Sequence, residues 1–536
     1  MISLFHKLSL YYRTIKHLKP IQIRYRLWYM LRGLFRKLSG HSYPLSIPQK
    51  SHSLNLEAGI PRPSTLDLRP EASKPCFTFL NQSHTFGNGI NWSYSKHGKL
   101  WAYNLNYFDY LQQEDISKEQ GLELILDFMD QTGGNREGLE PYPISLRGIN
   151  WIKFISRHGI QDQDIDASLY AQYQILLDNL EYHVDGNHLL ENGCSLVFGA
   201  CYFRDEQLWE AACSVMTHEL QAEILDDGGH YERSVMYHSI MLERLLDCYN
   251  LIVNNNWTEK QELEDRLKRK IGLMLGWLKK MEWSDRSLPE LNDHVTEMQP
   301  SPADLYHYAE RLGLQSTPVE LDQSGYRKYR GRGYELLADA GDIGPDYVLG
   351  HAHSDTLSFL LSIGGREVIT DTGTSTYENN RRRQAERSTA AHNTVMVAGK
   401  EQNEVWSAFR VGRRAHAEIL TDKPNELVAH HDGYHFLGIT HERRFECSED
   451  VIIITDRLKG ASPSEAVVSY LHFSPGVEPE ADEGVIEGRD FSISFHNHST
   501  IELISYQKAT GYNILREATA VKVVFQEKLK TEIRIG

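Results

Sequence analysis

The feature that most constrains this chain is a change of hydrophobic period near residue 325. From about 100 to 315, apolar residues recur at i, i+3, i+4 and i+7 in GLELILDFMDQ (121–131), in 205–225, in 238–253 and in LKRKIGLMLGWLKKM (267–281). Clusters of Gly, Asn, Asp or Pro follow each stretch. Helices of this length in series predict an α-solenoid or α/α toroid. GYRKYRGRGYELLADAG (325–341) begins a different texture. Short alternating or β-branched runs follow it: LSFLLSI, NTVMVAG, VIIITDRL, AVVSYLHF, FSISFHN, TIELISY and AVKVVFQEKLKTEIRI. Such runs, separated by turn residues, predict an antiparallel β-sandwich. The chain is therefore expected to be an α+β multidomain protein, and 536 residues exceed one compact core. No internal repeat of fixed period is present.

Before the helical region, residues 1–40 read as helical and basic, and 41–90 carry the Ser, Pro and Gly content of a linker. The expected division is an arm and linker over 1–90, a helical toroid over 91–324 and a sandwich over 325–536. The net charge of −16 is uneven: residues 1–50 hold ten Lys or Arg and no acid, leaving 47 basic against 73 acidic residues, a net of −26, in the rest. The arm has three readings: a solvated basic helix, an amphipathic segment in weak contact with a membrane surface, or a contributor to polyanion binding. A chain this acidic is not expected to bind nucleic acid. No stretch resembles a transmembrane helix or a signal peptide. The six cysteines lack C-x-x-C spacing and read as free thiols. A reducing, cytoplasmic location is the expectation. The 28 Tyr and 9 Trp suit sugar stacking, and equally suit core packing.

Three clusters carry chemistry. In GHAHSDTLSF (350–359), TDTGTSTY (370–377) and RSTAAHNTV (387–395), His351 and His353 stand two apart, so on a strand both would face one site. Asp371 and His392 come from the segments that follow, and a His/Asp/His set of this kind is a plausible Zn²⁺ or Mn²⁺ donor set; unrelated surface histidines are the alternative. In DGNHLLENG (185–193), Asn187, His188, Glu191 and Asn192 fall within two turns, with helix capping by Asp185 and Asn187 as the simpler account. In DDGGHYERSVMYHSIMLERLL (226–246), Tyr237 follows Arg233, and a nearby cation would favour its phenolate; an ordinary amphipathic tyrosine is the other reading.

Together these segments resemble the heparinase II/III superfamily of polysaccharide lyases, over roughly 95–475. The resemblance implies an incomplete α/α toroid with a β-sandwich across its groove. It further implies β-elimination on uronic-acid-containing acidic polysaccharides of glycosaminoglycan type. On this match His353, Asp371 and His392 would hold one divalent transition ion in a structural role, and Tyr237 would transfer protons. Asn187, His188 and either Glu191 or Asn192 would neutralise the uronate carboxylate, and His351 would be a second acid/base. Arg233, Arg147 and the run Arg381–Arg383 are the basic groups expected to grip the polyanion. Two other readings stand beside this one. A toroid glycoside hydrolase would use two carboxyl groups, with Glu191 and Glu232 as candidates. A polysaccharide-binding or assembly protein would keep the fold without turnover. The sequence does not fix the oligomeric state.

Overall fold

The computed structural model describes residues 4–41, 43, 51–68, 74–87, 89–461, 466–482 and 484–536. Two helices open the chain, α1 (Leu4–Ile15) and α2 (Pro20–Ser39), with Pro20 at the first position of α2, where a missing N–H costs nothing. Part of the expected linker lies outside the described residues. The rest is not mere linker: β1 (Leu66–Asp67), β2 (Cys76–Phe79) and β3 (Gln82–Thr85) form a small antiparallel sheet. Phe77 and Phe79, two apart on β2, both turn onto the helical core, against Tyr110 and Trp101.

The helical region follows: α3 (Lys99–Tyr107), α4 (Lys118–Gln131), α5 (Pro141–His158), α6 (Gln163–Asp178), α7 (Asn187–Phe203), α8 (Glu206–Glu223), α9 (Val235–Asn254), α10 (Gln261–Met281) and α11 (Pro302–Arg311). Several of its starts are set by side-chain caps. Ser117 and Gln120 form a capping box on α4, and Asp162, Asp205 and Ser301 cap α6, α8 and α11. α5 packs on α6 and α7, α7 on α8 and α9, and α9 on α10 and α11. Every residue of α7 but His188 is buried, which marks α7 as an inner helix. This is the expected toroid.

Beyond residue 325 come β4 (Tyr326–Gly331), β5 (Tyr334–Asp339), β6 (Phe359–Ile363) and β7 (Arg366–Ile369), one antiparallel four-stranded sheet. Next are α12 (Arg381–Glu386), β8 (Val395–Val397) and the two-residue strands β9 (Val405–Trp406) and β10 (Arg410–Val411). The large sheet is completed by β11 (Ala417–Lys423), β12 (Glu426–His431), β13 (Ile439–Cys447), β14 (Val451–Gly460), β15 (Val467–His472), β16 (Glu480–Asp482), β17 (Val485–Gly488), β18 (Phe491–Gly511) and β19 (Ile514–Ile535). Its strand order is β11-β12-β13-β14-β19-β18-β17-β16, with β15 pairing β19 and β8. The runs FSISFHN and TIELISY are one strand, bent at register shifts between His496 and Thr500. β19 pairs β15 through its first half and β14 through its second, so one long hairpin spans the sheet. Leu336 and Leu361 of the small sheet share a buried core with Phe445, Ile454 and Val523 of the large one. That inter-sheet core is the sandwich expected from the period change.

Candidate active site between the helical and sheet halves

α7 begins at a strained turn. Asp185 and Gly186 both have positive φ (71° and 66°), and a Cβ on Gly186 would meet Glu232 Oε1 at 3.0 Å and Val348 at 3.1 Å. Glycine is therefore required where Glu232 comes in to accept the Asn187 N–H, at 3.2 Å. This leaves no side-chain cap from Asp185 or Asn187 on α7. The Asn187 amide has no partner among the described residues. His188 Nδ1 lies 3.0 Å from Glu181 Oε1, and its ring packs on Tyr142 with centroids 4.3 Å apart. Burial disfavours the imidazolium, but Glu181, Glu232 and Glu191 outweigh it and raise the His188 pKa.

Glu191 and Asn192 do not join this pair. Both are fully buried; Glu191 accepts from Arg244 Nε at 2.7 Å. Asn192 accepts from the Glu181 N–H (2.9 Å) and donates to Ser145 Oγ and Glu181 Oε2, both at 3.1 Å. They fix the helix and its neighbour rather than face a ligand.

The sheet half meets α9 at Tyr237. The Tyr237 ring lies 3.9 Å, centroid to centroid, from His351, and its hydroxyl is 3.3 Å from that of Tyr377. The expected phenolate-favouring cation is absent here. The Arg233 guanidinium points instead toward Gly341, and burial, with Tyr377 and Asp293, raises the Tyr237 pKa well above its ordinary value. Tyr237 is therefore held as the neutral phenol.

Behind these rings sits Asp293, fully buried. Its carboxylate is bonded by His351 Nδ1 (2.8 Å to Oδ2) and by His353 Nε2 (2.9 Å to Oδ1). Arg383 grips both oxygens, Nη2 at 2.7 Å from Oδ2 and Nη1 on Oδ1. Burial opposes the charge, yet Arg383 and the two histidines hold the Asp293 pKa well below the carboxylate range. His351 and His353 thus do address one site, but from a loop rather than a strand, and through a carboxylate the sequence did not single out. His351 Nε2 is 3.7 Å from Glu232 Oε2, which links this cluster to the start of α7.

His353, Asp371 and His392 are brought together. One donor atom from each lies within 4.8 Å of the others, and all three residues are buried. His353 Nδ1 and His392 Nε2 are buried without a hydrogen-bond partner, while His392 Nδ1 is 2.6 Å from Asp371 Oδ2. Burial lowers the His353 pKa to about 4, which keeps that imidazole neutral as a ligand must be. A carboxylate flanked by two imidazoles, each with one buried nitrogen lacking a partner, is a donor set that fits a divalent metal ion. Asp355, buried with both oxygens unpartnered and electrostatically coupled to His392 and Asp371, joins the same neighbourhood. Sequence reasoning missed it, although it follows His353 by two residues.

The expected polyanion grip is corrected. Arg147 is wholly buried and donates to Gln172, the Asn106 carbonyl and the Gly138 carbonyl, so it holds the helical core. Arg233 is turned away, as above. Of the arginine run, Arg383 is committed to Asp293 and Arg382 donates to Glu386 and the Gln507 carbonyl; Arg381 alone is exposed. Asp293 and Tyr377 could have been suspected only as an acid and a tyrosine near the motifs, and Glu232 stands out in the sequence only as a candidate carboxyl for hydrolysis. No local periodicity marks them.

Comparison with known proteins agrees with the two-part fold. The family model for the heparinase II/III N-terminus matches residues 146–310, and that for the heparinase II/III-like C-terminal region matches 315–535. A heparin-sulfate lyase of Bacteroides stercoris is 20% identical over 319 residues, covering 54% of this chain and 46% of its own. The FtsZ-localized protein C of Caulobacter vibrioides is 26% identical over 310 residues, covering 55% and 49%. The chain thus spans about half the length of these curated relatives. A crystal structure of heparinase III superposes with a TM-score of 0.66 at 13% identity, covering 98% of this chain and 93% of the other.

Proposed function

The chain belongs to the heparinase II/III family, and on that premise we propose that it is a polysaccharide lyase that cleaves uronic-acid-containing acidic polysaccharides by β-elimination. The observation that carries this reading is the Tyr237–His351 contact at 3.9 Å, an acid/base pair made where the helical and sheet halves meet. Of the two carboxyl groups that a hydrolase would use, Glu191 is buried and bonded to Arg244, which argues against that reading.

In β-elimination a base takes the C5 proton of the uronate, the C4–O4 bond breaks, a C4=C5 double bond forms, and O4 leaves with a proton. The C5 proton is weakly acidic while the neighbouring carboxylate is ionised, so that carboxylate must be neutralised as charge builds on it. His188, held toward its cation by Glu181, and the unpartnered Asn187 amide suit this role. In the neutral His351 ring, donation of Nδ1–H to Asp293 leaves Nε2 as the lone-pair site, the base. Tyr237, kept as the phenol, gives its proton to O4. Each such group is worth on the order of 10²–10⁴ in rate. Tyr377, 3.3 Å away, orients the Tyr237 hydroxyl.

One Zn²⁺ or Mn²⁺ ion belongs to the same proposal, with His353 Nδ1, His392 Nε2 and Asp371 as its holders. Bound there, it supplies a structural tie among three loops. The similar heparin-sulfate lyase makes a glycosaminoglycan-type substrate the first to try. The test is incubation with heparan sulfate, hyaluronan, chondroitin and alginate, followed by ultraviolet absorbance and product mass. Unsaturated products are expected. Saturated products carrying an added water would replace the lyase by a hydrolase.

A further inference from the structure

The helix α2 is docked the wrong way round for a soluble surface helix. Its inward stripe is polar. Gln22 donates to the Val184 and Tyr347 carbonyls, Tyr29 Oη donates to the Leu180 carbonyl at 2.6 Å, and Arg32 and Arg36 pair with Asp178. Its outward stripe is apolar. Leu27, Trp28, Leu31, Leu34, Phe35 and Leu38 are 53–88% exposed. At 100° per residue these six occupy one broad arc, interrupted by Arg24 and with Lys37 near one edge. A soluble helix ordinarily turns such an arc inward, and contiguous apolar exposure on this scale marks an interaction surface.

The shorter α1 repeats the arrangement on the sheet half. Arg13 pairs with Glu404 at 2.7 Å and Thr14 donates to the Val411 carbonyl, while Leu8, Tyr12 and Ile15 face outward. The arm is thus fastened to both halves by polar contacts, which leaves its apolar side with nothing to cover it among the described residues.

Charge decides the occupant. Residues 1–50 carry ten basic groups and no acid, against a net of −26 over the remaining chain. Two such arms packed together would repel one another. An anionic bilayer surface satisfies both features: the apolar arc enters the acyl boundary, Lys7, Lys16, Arg24 and Lys37 meet the headgroups, and Trp28 and Tyr12 sit at the interface. The acidic body would be repelled from the same surface, which favours contact through the arm. No helix of the described residues is long and apolar enough to cross a membrane, so the contact is in-plane. We propose that α1 and α2 form an interfacial docking face for anionic lipid bilayers.

The test uses the full chain, sedimented with phosphatidylcholine vesicles containing or lacking phosphatidylglycerol. Binding is expected on the phosphatidylglycerol vesicles and should weaken as salt rises. The variant Leu27→Ser/Leu31→Ser/Leu34→Ser changes only exposed residues and should lower partitioning by at least about tenfold with its thermal transition retained. A second variant, Arg24→Gln/Lys37→Gln, leaves the apolar arc intact. It should lower partitioning by about 25-fold, roughly fivefold per charge. Absence of binding to phosphatidylglycerol vesicles would overturn the proposal. So would equal binding to both vesicle types, or a solution dimer of the parent chain that the leucine variant converts to monomer.

Discussion

The centre of the site and its rim are built on opposite principles. At the centre, Asp293 comes from the helical half of the chain and is gripped by Arg383, His351 and His353 of the sheet half, with no exposed surface. At the rim, His188 keeps 31% of its side chain exposed, beside Asn187, which is buried with its backbone N–H on Glu232. A buried, fully bonded carboxylate fixes geometry. An exposed imidazole at the start of a helix can meet a ligand. On the proposed reading, the sheet half orients the reacting groups and the start of α7 meets the substrate carboxylate, with Tyr237 at the boundary between them.

The variant Tyr237→Phe tests that boundary and should have the largest effect. It removes one hydroxyl whose only hydrogen bond among the described residues is a 3.3 Å contact to Tyr377. Turnover should fall by on the order of 10²–10⁴, with the thermal transition unchanged. A kcat near that of the parent would show that the proton reaches O4 by another route, and the division of roles would fail there.

Breaking the centre should instead appear as lost stability. Arg383→Met leaves the Asp293 carboxylate buried without its cation, a change that costs about 3–5 kcal/mol for such a pair. Denaturant midpoints should drop accordingly, and Arg383→Lys should restore only part of the loss, because one ammonium cannot meet both oxygens. A shift below about 1 kcal/mol would make Asp293 an incidental partner. Next in size, His392→Ala should abolish metal stoichiometry and lower the melting temperature. Full metal content in that variant would remove His392 from the donor set.

The same contrast explains what the sequence could show. The period change at residue 325 set the architecture, because helices and strands bury their faces at different spacings. His353, Asp371 and His392 were legible through the family resemblance of the segments that carry them, and the structure brings the three together. Asp293 was not, because it stands 58 and 60 positions from the histidines it bonds and lies in no periodic segment. Arg147 and Arg383 misled for the converse reason: a basic residue in sequence says nothing of whether its guanidinium meets solvent or a buried carbonyl. The tract 41–90 misled because Phe77, Phe79 and Phe86 are scattered among turn residues and still reach the helical core.

The smallest expected effect lies at the rim, in the pH response of His188. Its folded pKa is raised above the ordinary 6.5, and the Glu181 pKa is lowered by the same contact, so both partners favour the charged pair. The sign follows. A raised histidine pKa gives stability that is fully present below the unfolded value and is lost as pH climbs through the folded one. With about a third of the ring open to solvent, the stability at stake is under about 1 kcal/mol. Substrate affinity should follow the same direction, since only the imidazolium offers charge to a uronate carboxylate. KM should rise as pH passes through the folded pKa, and His188→Gln should raise KM at low pH and flatten that rise, with its turnover number less affected. A KM that climbs with the same slope in the glutamine variant would place that pH dependence, and the carboxylate recognition it reports, on a titrating group other than His188.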